Sequence, residues 1–200
     1  MFRKVMFALA MVLTSQAFAG EKLKFDGICR ITSLDGKQWS GVAISDSQIV
    51  SVWHHGETGE VFVEFAQDKH GNKTWIRVPA QIKKLHKRAD LSIIEFTCPD
   101  YVELTTYKIK KRSGRTVTIK GYVNQVPMVV RDTTLVRDSD TSDGFRLDRF
   151  DAPGLSGLSG AGAFDGVEVV GIQTAGANQL LTVPGETVLE FLDGTIGDER

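Results

Sequence analysis

The hydrophobic positions of this chain come in short runs separated by turn residues. Val61–Ala66 alternates apolar and polar side chains. Ile28–Ser33 and Gln38–Ile44 flank Leu34-Asp35-Gly36-Lys37, and Gln48–Trp53, Thr74–Lys84 and Leu91–Thr97 complete the pattern in the first half. Asp68–Lys73, with His70-Gly71-Asn72, reads as a turn. Period-two runs bounded by Gly, Asn and Asp predict strands, and about six of them suffice to close a small barrel. The second half repeats the pattern with Arg115–Tyr122, Pro127–Arg131, Phe145–Asp148 and Leu180–Val183. Its apolar run Ala163–Ile172 is broken by Asp165-Gly166, a hairpin signal. Asp138–Asp143 is a polar stretch. Helical periodicity enters only after Pro184-Gly185, where Glu186–Leu192 predicts one short amphipathic helix. Pro99–Gly114 reads as the connection between the halves, and its basic run Lys108–Arg115 as a solvated loop. The expectation is an all-β chain, barrel or sandwich, in two halves, residues 20–105 and 106–200, ending in a short helix; the strand count suits two six-stranded antiparallel barrels.

The N-terminus departs from this pattern. Arg3 and Lys4 precede the apolar run Val5–Leu13, and Ala17-Phe18-Ala19 has the small-x-small form of a cleavage site. That is a secretory signal peptide over residues 1–19, since the run falls short of the ~20 apolar residues a membrane span needs. The predicted location is secreted or periplasmic, with no stable membrane insertion after cleavage. Two of the 24 basic residues lie in this segment, which leaves 22 against 25 acidic ones, a net of −3. Nothing in that balance points to nucleic acid. Export favours disulfides, so Cys29 and Cys98 form either one bridge or two buried thiols. No Cys/His cluster has metal-ligand spacing, no metal or other cofactor is expected, and His70 and His86 read as surface loop residues.

Candidate chemistry begins in Asp151–Gly176. Small and flexible residues surround Ser156 and Ser159 there, just before the predicted hairpin. Glycines let backbone N–H groups converge without Cβ clashes, which is what stabilising a developing oxyanion requires. Gly157-Leu158-Ser159-Gly160-Ala161-Gly162, followed by Phe164 and Val170-Gly171-Ile172, resembles the G-x-S-G-G-P segment and following hairpin of the chymotrypsin-fold serine proteases, especially the compact trypsin-like enzymes of bacteria. The spacing to the hairpin selects Ser159 over Ser156. Ala161 and Gly162 stand where that family has Gly and Pro.

Two further segments carry the resemblance. Gly41-Val42-Ala43-Ile44 and then Ile49–His54 are similar to the family segment in which a strand delivers the general base. His54 takes that position, with Trp53 and Val52 replacing small residues and His55 following. Histidine suits the role because its unperturbed pKa is ~6.5. A slip to His55 would place the ring on the opposite face of a strand. Arg88-Ala89-Asp90-Leu91-Ser92-Ile93-Ile94 resembles the segment in which an acid opens an apolar strand. A carboxylate there needs a partner, and an imidazole N–H is a natural one. Neither serine has Gly two residues on, so the G-x-S-x-G elbow of α/β hydrolases is excluded.

The resemblance implies the arrangement as two six-stranded antiparallel barrels. It also implies a serine endopeptidase with the triad His54, Asp90 and Ser159, sited in a cleft between the barrels, and an oxyanion hole from the N–H groups of Gly157 and Ser159. Thr174, Ala175 and Gly176 match the segment whose backbone pairs with an extended peptide substrate. Pro153 occupies the position where tryptic enzymes carry a pocket acid, so cleavage after small or apolar residues is expected. Leu158 replaces the Asp that zymogens of the family use in activation, so no such switch is expected. The alternatives are a catalytically inactive protease-fold binding module and an esterase or toxin-like activity on the same fold. The oligomeric state is left open.

Overall fold

The computed structural model describes residues 21–56, 59–69, 72–123, 126–140, 144–155, 157–174 and 179–197. The signal-peptide segment, Ser156, His70, Ala175 and Gly176 fall outside them. The chain opens with β1 (Leu23–Asp26), followed by β2 (Ile28–Ser33), β3 (Gln38–Ala43), β4 (Gln48–Ser51), β5 (Gly59–Lys69), β6 (Asn72–His86) and β7 (Leu91–Phe96). The last six close into an antiparallel barrel in the order β2-β3-β4-β7-β6-β5. Alternate residues of each strand point inward. Ile31, Val42, Ile49, Val63, Phe65 and Ile94 are fully buried in this core.

After β8 (Val102–Thr105) come β9 (Thr116–Val123), β10 (Val126–Asp140), β11 (Arg146–Phe150), β12 (Gly162–Asp165), β13 (Glu168–Gln173) and β14 (Leu180–Pro184). These six strands after β8 form a second closed antiparallel barrel, ordered β10-β11-β14-β13-β12-β9, around Ile119, Phe150, Leu158, Ala163 and Leu180. Helix α1 (Gly185–Asp193) follows Pro184 directly and ends at Gly194. It buries Val188 and Phe191 and is the short C-terminal helix that the sequence predicts. Among the described residues no helix is long and apolar enough to cross a membrane.

Several details differ from the expectation. The connection between the halves holds β8, which pairs in parallel with β1 from Leu23↔Val102 to Asp26↔Thr105. Strand β10 runs well past Arg131, through a register shift between Val130 and Thr133 where Asp132 takes φ 52°. His86 is buried, not a surface loop residue. It ends β6, its Nδ1 accepts from Ala89 N at 3.0 Å, and its ring meets Phe145 and Phe191 edge-on at centroid distances of 5.0 and 6.3 Å. It thereby ties the end of the first barrel to the second barrel and the helix. Cys29 and Cys98 are free thiols, and burial pushes the Cys29 pKa far up.

Ser40 on β3 joins the barrels at the cleft. Its N–H donates to Ser159 O at 2.7 Å, and its Oγ accepts from Tyr122 N of β9 at 2.8 Å. The serine-bearing loop is therefore seated on the first barrel as well as on its own.

Candidate active site

His54 lies in the turn after β4, where Gly56 N donates to Trp53 O at 2.9 Å. Asp90 lies in the turn between β6 and β7, and Asp90 N donates to Lys87 O at 3.1 Å. Asp90 takes φ 53°, a left-handed conformation that Asp tolerates better than most residues. That conformation aims its carboxylate back at the β4 turn. Oδ1 accepts from Trp53 N at 3.1 Å and His54 N at 3.0 Å. The imidazole Nδ1 meets Oδ2 at 2.7 Å and Oδ1 at 2.9 Å. Thr174 Oγ1, from the strand end after β13, donates to Oδ2 as well. A carboxylate beside Nδ1 holds the proton there and leaves Nε2 as the lone-pair nitrogen. Ser159 Oγ lies 3.2 Å from that Nε2.

The loop that presents Ser159 depends on two glycines. Gly157 takes φ 95° and Gly160 φ 84°, both in the left-handed region. At Gly160 a Cβ would stand 1.9 Å from Ser40 O and 2.5 Å from Ser51 Oγ, so the backbone approaches the first barrel too closely for any side chain. Gly160 N donates to Gln173 O and Ala161 N to Leu158 O, at 2.7 and 2.8 Å. Among the described residues, neither Gly157 N nor Ser159 N meets a protein acceptor. Leu158 between them is fully buried in the second core.

His55 does not lie opposite His54. Strand β4 ends at Ser51, and in the turn that follows the two rings lie 4.1 Å apart between centroids, tilted by 53°, with the Trp39 ring 5.6 Å from that of His55. Of the two, His54 reaches both Asp90 and Ser159. Burial first, and the neighbouring His54 second, lower the His55 pKa to about 4. Pro153 is exposed. Asp151, the nearest acid in sequence, accepts from Thr134 N at 2.7 Å. No group of His, Cys, Asp and Glu among the described residues is arranged to hold a metal ion.

In the sequence, Thr174 reads only as part of the segment that would run along a substrate backbone. Its hydroxyl bond to Asp90, and the anchoring by Ser40, join residues far apart in the chain. Only the threonine after Gly171-Ile172-Gln173 offered a local signal for either.

Two six-stranded barrels, with a His–Asp pair in one facing a serine loop of the other, define the chymotrypsin-like serine protease fold. Among solved structures the chain is similar to a human pathogenic astrovirus serine protease, with 20% identity over 79% of this chain and 88% of that one, at a TM-score of 0.57. It is also similar to the MamO protease domain of Magnetospirillum magneticum, with 16% identity over 82% and 94% at a TM-score of 0.66. Deg5 gives 16% identity over 85% and 88%, again at 0.66. No protein-family model and no curated protein sequence matches the chain.

Proposed function

We propose that this protein is a serine endopeptidase that works through an acyl-enzyme. One observation carries the reading: His54 touches Asp90 through Nδ1 and Ser159 through Nε2, at 2.7 and 3.2 Å. In this reading Ser159 Oγ attacks the peptide carbonyl carbon while Nε2 takes its proton, and the imidazolium returns that proton to the leaving amine. Asp90 fixes the ring and stabilises its charged form. The N–H groups of Gly157 and Ser159 receive the oxyanion. Water then cleaves the ester by the same steps. The residues N-terminal to the scissile bond pair as an added strand along Thr174 and the two residues after it.

Small or apolar side chains are preferred over basic ones at the cleaved position. Asp151 is engaged with Thr134, and the buried Asp148 of β11 is neutralised by Arg112 Nε at 3.0 Å. The N-terminal pattern over residues 1–19 supports export, to the periplasm or the medium.

A fluorophosphonate probe tests the proposal. Covalent labelling that disappears in Ser159→Ala, together with cleavage of a peptide library, is the expected result. A chain that takes no label and cuts no peptide is a binding module instead.

A further inference from the structure

Gln173 is a buried polar side chain placed against the nucleophile loop. Its carbonyl accepts from Gly160 N at 2.7 Å and its N–H donates to Ala161 O at 2.8 Å, so it runs alongside the residues that follow Ser159. Thr174, the next residue, turns its hydroxyl to Asp90. Successive residues of an extended strand face opposite ways. Gln173 therefore points away from the His–Asp pair and into the second barrel, where it is only 1% exposed.

The surroundings of this side chain are polar in a regular way. Gln173 pairs with Thr182 on β14, and Thr182 pairs with Asp148 on β11. Residues directly opposite each other in an antiparallel ladder share a face. The three form a row that is 1%, 1% and 2% exposed, on the face that also carries Leu180 and Phe150. Arg112 closes the far end by its bond to Asp148. At the near end the Gln173 Nε2 donates to Thr174 O. Its Oε1 is buried and, among the described residues, has no hydrogen-bond partner. Nε2 makes one hydrogen bond and Oε1 makes none, so the atom of this amide left wholly unpaired is an acceptor. A buried amide carbonyl without a donor is unfavourable, and such groups are rare.

We infer that Gln173 sets the specificity of the substrate pocket: its Oε1 accepts a hydrogen bond from a neutral O–H or N–H donor on the side chain whose carbonyl Ser159 attacks. This rests on the protease reading of Ser159. Threonine and asparagine are then preferred at that position over their apolar isosteres valine and leucine. A lysine ammonium gains no counter-ion in this row, because Asp148 already has one. A site that keeps an acceptor for the substrate discriminates against the analogue that lacks the donor.

Two measurements test this. The first is kcat/KM on peptides identical except for Thr against Val, and Asn against Leu, at the cleaved residue. The donor is expected to win by at least ~10-fold in each pair, and Gln173→Met, which keeps the bulk and removes the acceptor, to erase the difference. The second is binding of fluorescein-labelled peptide amides ending in Thr or Val to the Ser159→Ala variant, read by fluorescence polarisation without turnover. Equal binding of the two, no binding of either, or a preference that survives in Gln173→Met overturns the inference. Should that variant fail to fold, the wild-type ratios decide alone. A chain that prefers the Thr peptide yet takes no fluorophosphonate loses the protease reading and keeps only Gln173 Oε1 as the acceptor for a peptide side chain. A chain that labels without any preference does the reverse.

Discussion

Thr174 Oγ1 of the second barrel donates to Oδ2 of Asp90 in the first. The carboxylate that holds His54 is thus oriented from both sides of the cleft, by Trp53 N and His54 N on one side and this hydroxyl on the other. Thr174→Val removes the donor and keeps the shape. A lost bond to a charged acceptor is worth ~1.5–3 kcal/mol, so kcat should fall roughly 10- to 100-fold with KM nearly unchanged. Steady-state kinetics beside a thermal melt check this. A variant with full kcat shows the hydroxyl to be dispensable.

Ser159→Ala should abolish hydrolysis and labelling, while Ser156→Ala keeps a substantial fraction of both. His54→Ala should lose several orders of magnitude in rate, with the remainder supplied by the oxyanion donors and binding. Progress curves at high enzyme concentration would show it. A dead Ser156→Ala enzyme beside an active Ser159→Ala enzyme reverses the assignment.

Gly160→Ala should be more damaging than an ordinary surface change. Its Cβ would meet Ser40 O at 1.9 Å, and its φ of 84° is strained for any L side chain. The loop must lift off the first barrel, breaking the Ser40 N to Ser159 O bond and displacing Oγ from Nε2. We expect both a lower urea midpoint and the loss of fluorophosphonate labelling. Wild-type labelling in a destabilised variant would separate the loop seat from the chemistry.

The rings of His55, His54 and Trp39 predict an acid-sensitive fold. The folded pKa of His55 is lowered to about 4, below the ~6.5 of an unfolded chain. Above that unfolded value both states are neutral and the residue adds nothing to the pH dependence. As pH falls below it, the unfolded chain binds a proton that the folded chain refuses, so stability drops until the folded pKa is reached. His55→Asn should flatten this limb. Urea midpoints at pH 7.5 and pH 5 give the comparison, and a wild-type drop equal to that of the variant refutes the assignment.

Tryptic selectivity needs an acid at the pocket floor, because a buried cation left unpaired is costly. With Asp151 bonded to Thr134 and Asp148 to Arg112, Lys and Arg peptides should be at least ~10-fold poorer than neutral ones, about 1.4 kcal/mol. Matched peptides differing only at the cleaved residue give the ratio directly. A preference for Arg or Lys would show that one of these acids is free in the working enzyme.

Much of the fold was legible because a period-two strand announces itself locally. Val61–Ala66 and Leu91–Phe96 alternate or run apolar between clear turn residues. What stayed hidden depends on distant partners. The four residues of β1 and of β8 become strands by pairing with each other. Strand β10 passes through the irregularity at Asp132, and its polar second half is held by pairing with β11 from Leu135↔Phe150 to Asp140↔Arg146. His86 is polar, near a turn and buried, because Phe145 and Phe191 arrive from the other end of the chain. At the site, the family resemblance of three local segments singled out His54, Asp90 and Ser159, and the fold brings the first within hydrogen-bond reach of the other two. Gln173 was missed because an orphaned acceptor is a property of surroundings and leaves no trace in sequence.

Ser40 has a temporal consequence. The first barrel is complete at Phe96, well before the ribosome has made Ser159, and it already contains the His54–Asp90 pair. Until β9 and the nucleophile loop settle on Ser40, that pair has no hydroxyl to activate. In the proposed mechanism a nascent chain therefore carries a base without a nucleophile until its last third is in place.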